Sequence, residues 1–148
     1  MRLLSVQLEN GGNAGLTVTG YSMMPMLYNR RDSVTLVPVN GHEKKGDIVL
    51  YKRENGAYVL HRIIAEKTDG FICCGDNQYM RERVDRQQLI AKVISFVRNG
   101  KEVSVENKSY KCYVAIWVGL FFLRGIYIPV RRFFGKLTRK LVWRKYNG

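Results

Sequence analysis

Short runs rich in Val, Ile, Leu, Thr and Tyr, divided by Asn-Gly and Asp-Gly pairs, leave the first hundred residues little choice but a β architecture. The pairs Asn40-Gly41, Asn55-Gly56, Asp69-Gly70 and Asn99-Gly100, with Asn10-Gly11 and Gly75-Asp76-Asn77, recur between runs too short for stable helices. Asn, Asp and Gly tolerate the positive φ that a tight hairpin turn demands, so such pairs fold neighbouring runs back on each other. Strands are expected over 16–19, 33–37, 47–51, 58–65, 71–74, 90–97 and 102–105. The expected fold is therefore mainly β, an antiparallel and partly closed sheet.

The composition changes at residue 106, and this divides the chain into a β domain, 1–106, and a basic helical extension, 107–148. The chain carries a net charge of +13, but its location matters more than its size. Residues 1–106 hold 15 basic and 12 acidic side chains, whereas 107–148 hold ten basic and no acidic ones. The charge belongs to the extension and says little about the β domain.

Within the extension, Cys112 to Leu123 is a 12-residue apolar run, closed by Arg124. Spanning a bilayer takes about 20 apolar residues, so the run alone is short. Beyond Pro129 an amphipathic helix is expected, with Val130, Phe133, Phe134, Leu137 and Leu141 on one face. Arg131, Arg132, Lys136, Arg139, Lys140 and Arg144 crowd the other. Residues 112–146 thus suit an anionic membrane surface, the alternative being two C-terminal helices packed on the domain or on a partner chain. Nucleic acid is disfavoured because no base-stacking or groove-reading element accompanies the charge. Oligomeric state is open.

Cys73, Cys74 and Cys112 form no disulfide framework, and no CxxC or Cys/His metal spacing is present. They read as small apolar fillers, and reduced thiols suit a cytosol-facing protein. Residues 1–9 lack the long apolar core of a secretory signal and read as a strand or lead-in element. The expected setting is membrane-associated and cytosol-facing. No metal or organic cofactor is implied.

Two residues stand out chemically. Ser22 lies between Gly20 and Pro25, in Gly20-Tyr21-Ser22-Met23-Met24-Pro25-Met26-Leu27, where a turn can hold a hydroxyl rigid. His61 interrupts the apolar strand Tyr58-Val59-Leu60-His61-Arg62-Ile63-Ile64. A nucleophile and a base on separate elements are the minimum for covalent hydrolysis. Imidazole, with an ordinary pKa of about 6.5, is available as a base near neutrality. His42 sits in a polar loop and reads as solvated surface. Met23, Met24 and Met26 read as core fillers or as the apolar floor beside an extended peptide, Pro25 fixes the backbone just after the serine, and Met23, Met24 and Pro25 are the expected substrate-binding residues. A histidine base works best with a carboxylate on its far nitrogen. Asp76 and Asp85 are the candidates, with Glu82 a competitor; Asp47 reads as a turn residue opening a strand.

The order Gly20-x-Ser22-Met23-x-Pro25, Gly46-Asp47-Ile48-Val49, His61-Arg62-Ile63, Gly75-Asp76-Asn77 resembles the type I signal peptidases and the related LexA-type self-cleaving proteins. Among them it is most similar to the endoplasmic-reticulum and archaeal branch, whose base is histidine. The resemblance covers residues 17–97. It implies a β domain of that type and a serine peptidase with Ser22 as nucleophile and His61 as general base. It places an acid in or just after Gly75-Asp76-Asn77, and implies a leader-type peptide substrate with small side chains next to the scissile bond. The chain departs from the family at Asn29-Arg30-Arg31-Asp32, where glycine usually precedes the Asp, and in having no membrane helix before the serine. Two rival readings are a non-catalytic peptide-binding module and a LexA-like regulator. The latter is disfavoured because no DNA-binding helix pair precedes Gly20.

Overall fold

A computed structural model describes residues 12–130. Eight strands form one antiparallel sheet that curls into a half-barrel. They are β1 (Ala14–Thr17), β2 (Ser33–Pro38), β3 (Ile48–Lys52), β4 (Tyr58–Lys67), β5 (Gly70–Cys74), β6 (Glu82–Asp85), β7 (Leu89–Arg98) and β8 (Lys101–Ser104). Their order is β1-β2-β7-β3-β4-β5-β6, with β8 paired to β7. The fold is mainly β with two C-terminal helical segments, as the turn spacing and the composition break imply.

Each of the seven expected strands is present within two residues of its expected ends. β6 was not expected. Its residues Glu82-Arg83-Val84-Asp85 are mostly charged, and only Val84 is buried. An edge strand needs just one apolar side chain facing inward, so its hydrophobic signal is weak.

The core lies on both faces of β3. Ile48 and Leu50 pack with Met23, Met26, Leu27, Leu36, Val93 and Phe96 on one side. Val49 and Tyr51 pack with Ile63, Phe71, Cys73 and Val84 on the other. Successive side chains alternate across a strand, so a run without polar interruption is buried twice over. Each fully buried side chain of this size contributes about 1.5–3 kcal/mol.

Helix α1, Lys108–Gly119, begins where the composition changes. The Asn107 side chain caps it, accepting from the backbone N–H groups of Ser109 and Tyr110. Tyr110 is buried against Phe96, 5.2 Å between ring centroids, which fastens the helix to the β domain. The apolar run does not form one helix. α1 stops at Gly119, the chain turns at Leu120, and a second segment, Phe121–Val130, leaves at a bend of 63°. Among the described residues no single helix is long and apolar enough to cross a membrane, although this bent pair passes by length and composition together. The amphipathic helix expected after Val130 and the lead-in element over residues 1–9 lie outside the described residues.

Candidate active site

The serine sits on a turn rooted in the core. Gly20 has φ +92°, a conformation that suits glycine, and its N–H donates to Asn29 Oδ1 at 2.9 Å. Met23, Met26 and Leu27 are buried, and Leu27 N–H closes the turn on the Met23 carbonyl at 2.9 Å. Of the three residues expected beside a peptide, Met23 lines the cleft described below as well as belonging to the core. Met24 and Pro25 are half-buried and outside the lining. At the exit of the turn Arg30 takes φ +55°, the left-handed conformation. Asp32, fully buried, accepts from Tyr28 N–H and from Arg31.

The Gly75-Asp76-Asn77 segment braces this turn from the other side. Asn77 donates its backbone N–H to the Ser22 carbonyl at 2.7 Å and its amide to the Tyr21 carbonyl at 3.0 Å. A Cβ on Gly75 would lie 2.6 Å from the Ser22 carbonyl oxygen and 3.0 Å from Ser22 Cβ. Only glycine lets the two segments approach so closely.

His61, on β4, is 3% exposed. Its Nδ1 lies 3.1 Å from the Tyr51 hydroxyl, which donates to Glu82 Oε2 at 2.9 Å. Glu82 also takes two hydrogen bonds from Arg53, at 2.6 and 2.7 Å, and these hold its carboxyl below the usual carboxylate range. Since the tyrosine proton goes to the carboxylate, the tyrosine oxygen is left to accept from His61. That assigns the proton to Nδ1 and a lone pair to Nε2, the tautomer a general base needs. Burial lowers the His61 pKa to about 4; the Glu82 carboxylate, 3.9 Å from Nδ1, opposes that shift. The imidazole is therefore neutral near pH 7.

Neither aspartate expected beside His61 is its hydrogen-bond partner. Asp76 is fully buried and gives both oxygens to Arg62, at 2.8 Å from Nε and 2.7 Å from Nη2. The guanidinium also donates to the Gly46 carbonyl and the Tyr110 hydroxyl. The alternation of β4 explains this. His61 and Arg62 point to opposite faces, and Asp76 lies on the Arg62 side. Asp85 is exposed at the end of β6, where its N–H donates to Gln88 Oε1 at 2.8 Å. Glu82, the competitor, is the carboxylate that reaches His61, through Tyr51. β6 pairs Glu82 with Cys73 on β5, whose own partner on β4 is Ile63, on the His61 face. Reading 82–85 as a strand with Val84 inward would have turned Glu82 inward and Asp85 outward.

Ser22 and His61 line one cleft of about 270 Å³, together with Leu16 to Thr19, Tyr58 to Leu60 and Gln78. Among the described residues no cluster of His, Cys, Asp or Glu is arranged to hold a metal ion. Cys73 and Cys74 are buried, with thiol pKa values raised by burial to about 12 and about 11, so they are poor nucleophiles. His42 is exposed, and Asp47 accepts from Lys44 N–H in the turn before β3. Comparison with protein-family models, with curated proteins and with solved structures finds no match to this chain.

Proposed function

We propose that the chain is a serine endopeptidase of the signal-peptidase kind, with Ser22 as nucleophile and His61 as general base. One observation carries the reading. Ser22 and His61 line the same cleft, and His61 is tied at Nδ1 to a tyrosine–carboxylate pair that leaves Nε2 as the basic nitrogen.

An extended peptide enters between the β1 side and the β4 side of the cleft, placing its carbonyl over Ser22. Ser22 Oγ attacks that carbonyl as His61 Nε2 takes the hydroxyl proton, and the Ser22 backbone N–H faces the developing oxyanion. The tetrahedral intermediate collapses with cleavage of the C–N bond, and His61 gives its proton to the leaving amine. Water then attacks the ester, again deprotonated by His61, and the serine hydroxyl is restored. Glu82 stabilises the transient imidazolium through Tyr51. The substrate is a leader or export peptide with small side chains next to the scissile bond, a class taken from the motif resemblance.

An alanyl diphenyl phosphonate tests the dyad without a guessed substrate, since it phosphonylates an activated serine with loss of phenol. Mass spectrometry is expected to locate the adduct on Ser22, absent from Ser22→Ala and strongly reduced in His61→Ala. Equal labelling of all three proteins would refute the reading and favour the peptide-binding module.

A further inference from the structure

The bent helical pair presents an apolar surface that the β domain leaves uncovered. Phe122, Ile126 and Val130 follow one another at four-residue spacing on the second segment and are 70%, 67% and 47% exposed. Ile116 of the first arm, Leu120 at the bend and Tyr127 of the second segment are 55%, 46% and 50% exposed. Single exposed apolar side chains are ordinary, but six of them on one bent helical pair, three at four-residue spacing, mark a contact surface.

The one charged side chain between Cys112 and Val130 is kept off this surface. Arg124 is 3% exposed, turned inward to the Trp117 carbonyl at 2.9 Å and the Gly75 carbonyl at 3.4 Å. Its guanidinium lies over the Trp117 and Phe121 rings, at 4.8 and 5.0 Å. The outward face therefore carries no charge through nineteen residues, and the chain that follows carries seven Lys and Arg residues and no acid. An apolar face continued by a purely basic segment matches the acyl region and anionic headgroups of a lipid surface.

We propose that this face docks in one leaflet of an anionic membrane without crossing it. Neither arm spans alone: twelve residues of α1 and the ten that follow measure about 18 and 15 Å, against a hydrocarbon core of about 30 Å, and the bend of 63° keeps the two lengths from adding along one axis. The 63° bend and the inward Arg124 fix the pair as a wedge against the β domain. Arg124 rests on the carbonyl of Gly75, two residues before the Asn77 whose N–H holds the Ser22 carbonyl, so the docking pair and the serine turn are joined through one segment.

The test uses the full chain and flotation with vesicles of phosphatidylcholine alone or equimolar with phosphatidylglycerol. The chain is expected to float with the anionic vesicles and much less with the neutral ones. The double variant Phe122→Glu/Ile126→Glu, at sites too exposed to disturb folding, is expected to lose roughly tenfold or more of that binding at an unchanged melting temperature. Ser22→Ala is expected to float like the parent chain, so the outcome is independent of the peptidase reading. Undiminished flotation of the double variant would overturn the proposal by assigning binding to the basic segment alone. A dimer in solution that the double variant dissociates, with no flotation by the parent, would overturn it in favour of a second copy.

Discussion

Replacing Tyr51 with Phe removes one oxygen atom and tests how His61 is set as a base. Tyr51 is fully buried, and its ring packs in the core beside Ile63 and Phe71, so the substitution preserves shape. Two hydrogen bonds disappear, one of 3.1 Å to His61 Nδ1 and one of 2.9 Å to Glu82 Oε2. Glu82 keeps both bonds from Arg53, while His61 Nδ1 loses its partner at a site 3% exposed. An unsatisfied buried group costs about 1–3 kcal/mol, which lowers the melting temperature of a domain this size by roughly 3–10 °C. Without the Tyr51 oxygen nothing holds the proton on Nδ1, and Nε2 ceases to be the settled acceptor. Loss of tautomer control costs up to about 10⁴-fold where a carboxylate acts directly; acting through a neutral phenol, roughly 10- to 1,000-fold is expected here. Imidazole ¹⁵N shifts of His61 read the tautomer directly, and turnover on a cleaved peptide reads its consequence. Bare Nε2 in the parent and a mixture in Tyr51→Phe is the expected pair of spectra. Unchanged spectra with unchanged turnover would refute the relay.

Three further perturbations separate bracing from chemistry. Gly75→Ala forces a methyl to within 2.6 Å of the Ser22 carbonyl oxygen, so kcat should fall about 100-fold through displacement of the serine turn, with a smaller change in KM. Asp76→Asn leaves the Arg62 charge buried without its counter-ion and should cost about 3–5 kcal/mol in urea unfolding, whereas Asp85→Asn, exposed, should shift stability by less than about 0.5 kcal/mol. Acid should destabilise the fold. His61 titrates at about 4 when folded, below the ordinary value of about 6.5, so between those values the unfolded chain binds the extra proton. Stability is then full above pH about 6.5 and falls as the pH drops toward 4, by at most about 3 kcal/mol, with Glu82, also lowered, adding loss below its ordinary value. Urea midpoints across that range measure the slope, which His61→Gln should flatten.

The β fold was legible because turn chemistry is local: Asn-Gly and Asp-Gly pairs announce hairpins without reference to the rest of the chain. Ser22 and His61 stand out in the sequence for a similar reason, each being out of place in its setting, and the structure puts both on the lining of one cleft. What the sequence did not disclose was the pairing of charges. Asp76 looked available for His61 because the alternation of β4, which assigns it to Arg62, acts across strands. Glu82 was obscured because β6 is an edge strand with one apolar residue, and its inward carboxylate resembles a solvated one until Tyr51 is placed above it. The helical break at Leu120 was likewise hidden inside a continuous apolar run, where composition alone cannot distinguish one helix from two.

The central claim is that Ser22 and His61 cleave peptides, and a proteome-derived peptide library read by mass spectrometry tests it most directly, because no substrate need be guessed. New termini should appear with the parent chain, following small side chains, and should be missing with Ser22→Ala and with His61→Ala at matched folding. Absence of new termini with the parent, or the same termini with Ser22→Ala, would contradict the account.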